Sequence, residues 1–156
     1  MTEQRRFDLL RSERGASLVE TAAVLPLFLL LLFGAVDFGR AFFIANEIAG
    51  AAHAAVMYGS QNPTDTSGMK TVAQDSAPDV PGLSVTTPTY GCECAIASST
   101  YVASCPAASQ PTCSTSNLVY RVNVTVSGSF SPMFPWPGVP TLSTFSVTAS
   151  MRSAGS

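Results

Sequence analysis

Between Glu20 and Asp37 the chain carries sixteen uncharged residues, Thr21 to Val36, dominated by Leu, Ala, Val and Phe. As a helix this run covers about 24 Å at 1.5 Å per residue, slightly short of the roughly 30 Å hydrocarbon core of a bilayer. Leu18 and Val19 extend it before Glu20, and Phe38, Phe42, Phe43 and Ile44 extend it beyond Asp37 and Arg40. The rival reading is a core helix of a soluble domain, but such a helix keeps a polar face. Leu27 to Phe33 is apolar all the way round. The pattern therefore predicts a transmembrane helix. Pro26, inside it, removes one backbone hydrogen bond and crowds the carbonyl four residues back, so a kink or local opening near Ala22 is expected.

Beyond Asp37 the helical period continues to about Tyr58. Ala45, Ile48, Ala49, Ala52, Ala55 and Val56 recur every three or four residues, a small-residue face expected to dock on an exterior sheet. Gly59 to Pro63 is expected to end the helix, and a short helix from about Ser67 to Gln74 is predicted, with Ser67 as its cap. Leu83 to Thr87 alternates like a strand. The clearest strand is Leu118 to Ser127, with Val122, Val124 and Val126 on one face and Arg121, Asn123 and Thr125 on the other. Gly128 to Pro140 reads as a proline-rich loop, with Phe130, Met133, Phe134 and Trp136 as apolar anchors over the sheet. Leu142 to Met151 alternates again, with Phe145, Val147 and Ala149 inward. The fold class expected is α+β: a long N-terminal transmembrane helix continuing into an exterior domain with a small antiparallel β-sheet.

At 156 residues there is room for one anchor and one small exterior domain. Charged residues make up 12% and the net charge is −2, so no nucleic-acid partner is implied. The charges are unevenly distributed, with Arg5, Arg6, Arg11 and Arg14 before the span and only Arg40 close behind it. That bias keeps the amino terminus in the cytoplasm and sends the remaining chain outward.

Outward topology changes the reading of the Ser-, Thr-, Pro- and Ala-rich region Tyr90 to Asn117, which reads as a loop and holds Cys92, Cys94, Cys105 and Cys113. In an oxidising compartment disulfides are the default. One residue separates Cys92 from Cys94, too unfavourable a spacing for a mutual bond, so each pairs with Cys105 or Cys113 in one of two connectivities. A four-cysteine zinc site is the rival, disfavoured by the C-x-C spacing and the location. His53, the single histidine, has no carboxylate or nucleophile at helical spacing, and no phosphate-cradling loop or nucleophile elbow occurs. The expectation is a protein without enzymatic activity, cofactor or metal.

Glu20 is the residue that hydropathy leaves unexplained. A carboxylate at the edge of an apolar span is a functional suspect, although a place at headgroup level by the positive helix end would also accommodate it. Gly15 lies five residues earlier, directly after a basic leader. Gly15, four residues, Glu20 and an apolar helix together resemble the type IV prepilin processing signal, which a membrane peptidase cuts after the glycine. The whole segment Arg14 to Arg40, R-G-A-S-L-V-E-T-A-A-V-L-P-L-F-L-L-L-L-F-G-A-V-D-F-G-R, is more narrowly similar to the TadE-like family, minor pilins or pseudopilins of the tight-adherence (Flp) pilus. Gly15, Val19, Glu20, Ala22, Pro26 and Asp37 match its pattern, and Thr21 stands where an aromatic is common. The two long strands joined by an aromatic, proline-rich loop and ending near Arg152 also resemble the tail of that family.

The resemblance implies a cut between Gly15 and Ala16 by a prepilin peptidase. The chain would then comprise a cytoplasmic leader (1–15), a transmembrane and extended helix (16–58) and an exterior domain with a disulfide-bonded loop (59–156). It also implies that Glu20 faces a new ammonium at Ala16, in its own or a neighbouring subunit, and sets the register between helices. The implied partners are the peptidase, other pilin-like subunits, the pilus assembly machinery and membrane lipid. An ordinary secretory signal would need small residues at alternate positions after the apolar core. Phe33-Gly34-Ala35 has a bulky Phe there, and no cut is expected. The alternative function is an uncleaved bitopic envelope protein whose exterior domain binds an extracellular component.

Overall fold

Valine on every second residue, with Arg, Asn and Thr between, satisfies a strand that buries one face only. The computed structural model describes residues 13–95, 101–103, 105, 111–113 and 117–153. Its elements in chain order are α1 (Glu13–Gln61), α2 (Thr66–Ser76), β1 (Ser84–Val85), β2 (Thr89–Cys94), β3 (Val102–Ala103), β4 (Leu118–Phe130) and β5 (Ser143–Ser153). The architecture is α+β, a long apolar N-terminal helix followed by a small antiparallel sheet. Contacts divide the chain into two compact units, Met1–Arg40 and Ala41–Ser156.

In the first unit α1 runs through Pro26 without a break. None of Leu27 to Phe33 is less than 37% exposed. Among the described residues of this unit nothing covers that apolar girth, and the helix is long and apolar enough to cross a membrane.

In the second unit β4 is the hub. Along one edge it pairs with β5, from Tyr120 opposite Ser153 to Phe130 opposite Ser143. Along the other it takes β2, with Tyr90 opposite Val122, and then β1, with Val85 opposite Val126. β3 adds to β2. Val122, Val124 and Val126 are fully buried and Ala149 nearly so, while Phe145, Val147 and Met151 flank them half-buried, as the alternation predicts.

Against this face lies α1 from Ile44 onward. Its buried line is Ile44, Ile48, Ala51, Ala52, Ala55 and Val56, whereas Ala45 and Ala49, expected on that line, sit at its margin. Ile44, Ile48, Ala51, Ala52, Ala55 and Val56 form one buried cluster with the valines of β4. The helix ends at Gln61, inside the expected run Gly59 to Pro63. A Cβ on Gly59 would lie 2.7 Å from the Met69 sulfur and 2.9 Å from a Val122 methyl, so glycine here permits close approach of helix to strand.

Four further expectations need correction. β4 extends to Phe130, which packs tilted on Phe145 at 6.2 Å, so the loop starts three residues later than its prolines predict. Gly128 fits inside the strand because a side chain there would run into Val80 and Ile48. The strand expected over Leu83 to Thr87 contracts to Ser84–Val85, with one added bond from Thr86 N–H to the Thr125 carbonyl. The cap of α2 is Asp65, not Ser67: its carboxylate accepts from the Gly68 amide at 2.9 Å, and the Ser67 hydroxyl donates to that same carboxylate at 2.8 Å. Finally, Tyr90 to Cys94 is strand and not loop, because its alternation of Tyr90, Cys92 and Cys94 with Gly91 and Glu93 suits an edge of β4.

Candidate functional site

The residues singled out around the apolar helix lie in the first unit. Gly15 sits in the first turns of α1, exposed, and a Cβ built on it would meet nothing within 4 Å. Glycine is a poorer helix former than alanine by up to about 1 kcal/mol, and no packing among the described residues compensates for it here. Glu20 is exposed on a helical face shared with Ser17, Thr21, Val24, Leu25 and Phe28. The Thr21 hydroxyl donates to the Ser17 carbonyl at 2.9 Å, so the polar residue that departs from the expected aromatic satisfies itself on its own backbone. The far end of the apolar run carries an internal charge pair, in which Arg40 Nη1 lies 3.5 Å from Asp37 Oδ1 and Asp37 is only 5% exposed. Residues 1–12 of the expected leader lie outside the described residues, as do those at 96–100, 104, 106–110 and 114–116 of the cysteine region.

The cysteines form Cys92–Cys105 and Cys94–Cys113, with Cα separations of 5.9 Å and 5.5 Å, which selects one of the two connectivities left open. With all four sulfurs bonded to one another, no thiolate is left for a zinc ion. Cys92 and Cys94 are buried on the same face as Tyr90, whose ring stacks on Tyr120 at 5.6 Å. Burial, with Tyr120 as a lesser cause, raises the Tyr90 phenol above its ordinary value. On the opposite face Arg121 donates to Glu93 across the β2 edge and to the Ser150 hydroxyl, at 3.2 Å, across the β5 edge. The guanidinium thus ties three strands together, a role that the sequence alone does not reveal.

Between α1 and α2 the Tyr58 hydroxyl donates to Asp65 Oδ2 at 2.7 Å. This bond, with those from Gly68 and Ser67, lowers the Asp65 carboxyl to about 2, and it raises the Tyr58 phenol. His53 is exposed, and no group of three or more His, Cys, Asp or Glu placed to hold a metal occurs among the described residues. Of the four apolar anchors expected in the β4–β5 loop, Phe130 is buried at the end of β4 and Trp136 is half-buried, while Met133 and Phe134 are 62% and 39% exposed.

Residues 15–57 match the family described as TadE-like protein. No curated protein and no solved structure matches the chain. The match begins at Gly15, contains Val19, Glu20, Ala22, Pro26 and Asp37, and stops at Met57. The strands lie outside it.

Proposed function

We propose, from the TadE-like segment at residues 15–57, that this chain is a non-enzymatic, minor pilin-like subunit acting in assembly of a tight-adherence pilus. The observation that carries the reading is at Gly15. The family match opens on this residue, and nothing among the described residues requires it to be glycine. A recognition event outside the fold supplies the requirement, since a residue without a side chain lets the backbone enter a peptidase cleft in extended form. In this reading a prepilin peptidase cuts between Gly15 and Ala16 on the cytoplasmic side. The apolar helix stays in the membrane among other pilin-like helices, and the domain beyond it faces outward.

Glu20, exposed on its helix, then meets the new ammonium of Ala16 in its own or a neighbouring subunit, which offsets the cost of holding a carboxylate in lipid. Pro26 leaves the Ala22 carbonyl without its usual donor, a point at which the helix opens during assembly. Mass spectrometry of the membrane-extracted protein tests the reading. An amino terminus at Ala16 is expected, and a mature protein retaining Met1 would overturn it in favour of the uncleaved envelope protein. Gly15→Leu is expected to abolish processing.

A further inference from the structure

Within the unit Ala41–Ser156, α1 runs antiparallel to β4. A Cβ on Gly59 would touch Val122, near the start of the strand, and one on Gly128, near its end, would touch Ile48 at 2.9 Å. From Ile48 to Gly59 the helix rises about 16 Å, and from Val122 to Gly128 the strand covers about 20 Å, so the two lie side by side. Followed back toward Ala41, the helix therefore heads for the end of the sheet where residues 131–142 join β4 to β5. At that end the peptide chain leaves the unit for the apolar stretch.

Large apolar side chains stand exposed at this end of the unit, with the carboxylate of Asp79 nearby, next to Val80 and Pro81. Met133, Val139 and Leu142 in the loop are 62%, 46% and 62% exposed, and Phe42 and Phe43 on the helix are 63% and 55% exposed. No charged side chain occurs between Arg121 and Arg152. Pro132, Pro135, Pro137 and Pro140 punctuate the loop, and each lacks an amide N–H that would need a partner away from water. An irregular, uncharged, donor-poor segment with apolar tips suits the headgroup and upper acyl zone of a bilayer, where aromatic and apolar side chains embed while carbonyls stay wet.

We propose that residues 131–142, with Phe42 and Phe43, rest in the interfacial zone of the membrane as a second lipid contact. It rests on the transmembrane reading of Thr21 to Val36 and adds a surface from the other unit. Trp136, the single tryptophan, lies in the loop and reports on it without labelling. The test uses the full chain in phosphatidylcholine vesicles whose acyl chains carry bromine either close to the headgroup or close to the terminal methyl. The expected result is co-flotation with the vesicles, stronger Trp136 quenching by the shallow bromine than by the deep one, and loss of acrylamide quenching relative to the detergent-free unfolded chain. Met133→Asp with Leu142→Asp is expected to float equally well and lose the bromine quenching.

Co-flotation without bromine quenching overturns the lipid contact and leaves the anchor intact. Quenching that survives in the double variant also overturns it. Failure to float overturns the anchor and, with it, the second contact.

Discussion

Gly59 and Asp65 carry structural demands that their residue types only half announce. Glycine near a predicted helix end reads as a terminator, yet at 59 it is contact with Met69 and Val122 that excludes a side chain. Gly59→Val is expected to cost about 1–3 kcal/mol through overpacking, read as a lower urea midpoint at unchanged slope. In the run D-T-S at 65–67 each residue is a competent cap, and propensity alone does not choose among them. What decides is Tyr58, whose hydroxyl reaches Asp65 from the preceding helix. The consequence for pH follows from the direction of the shift. Asp65 falls from an ordinary 3.8 to about 2 in the folded chain, so between these values the unfolded state binds more protons. Its contribution is present above about pH 4 and is lost as pH falls toward 2. Acid titration of wild type against Asp65→Asn should show the extra loss over that window in the wild type only. The raised Tyr58 phenol acts in the opposite sense, with its contribution complete below pH 10 and lost as pH rises further.

At the scale of elements, β4 and β5 were legible because valine, phenylalanine and alanine alternate with small polar residues over a length that only a strand satisfies. β2 was not. Its inward residues are a tyrosine and two cysteines, its outward ones a glycine and a glutamate, and its neighbours are rich in Ser, Thr and Pro, so the alternation is hidden in composition that signals a loop. Gly91 is required there because a side chain would strike the Val102 carbonyl and the Tyr101 ring, which closes β3 onto β2. Two disulfides then fix this edge. Replacing Cys94 and Cys113 together by Ala is expected to cost about 3 kcal/mol, measured by denaturant unfolding of the full chain in detergent. The Arg121 link is a separate contributor. Glu93→Ala leaves a largely enclosed guanidinium without its carboxylate and is expected to cost about 2 kcal/mol, more than the double change with Arg121→Met. A double-mutant cycle reads the difference.

For the whole molecule, the apolar helix was the most legible feature, since no arrangement of Leu27 to Phe33 gives a polar face. Leu30→Arg, at mid-span, should make insertion about 2.5–3.5 kcal/mol less favourable and raise the fraction released by alkaline carbonate. The candidate site was legible only as spacing: in the proposed reading Gly15 and Glu20 act on a peptidase and a neighbouring helix, and the fold of one chain contains neither. The central position of β4 has a bearing on biogenesis. In an outward orientation all four cysteines reach the oxidising side ahead of the strand that aligns β2, because residues 92 to 113 precede 118 to 130. Early sulfur pairing therefore happens untemplated, and wrong bonds formed during export must be reshuffled once β4 arrives. Cells lacking a disulfide isomerase should accumulate crossed isomers that resolve on non-reducing gels.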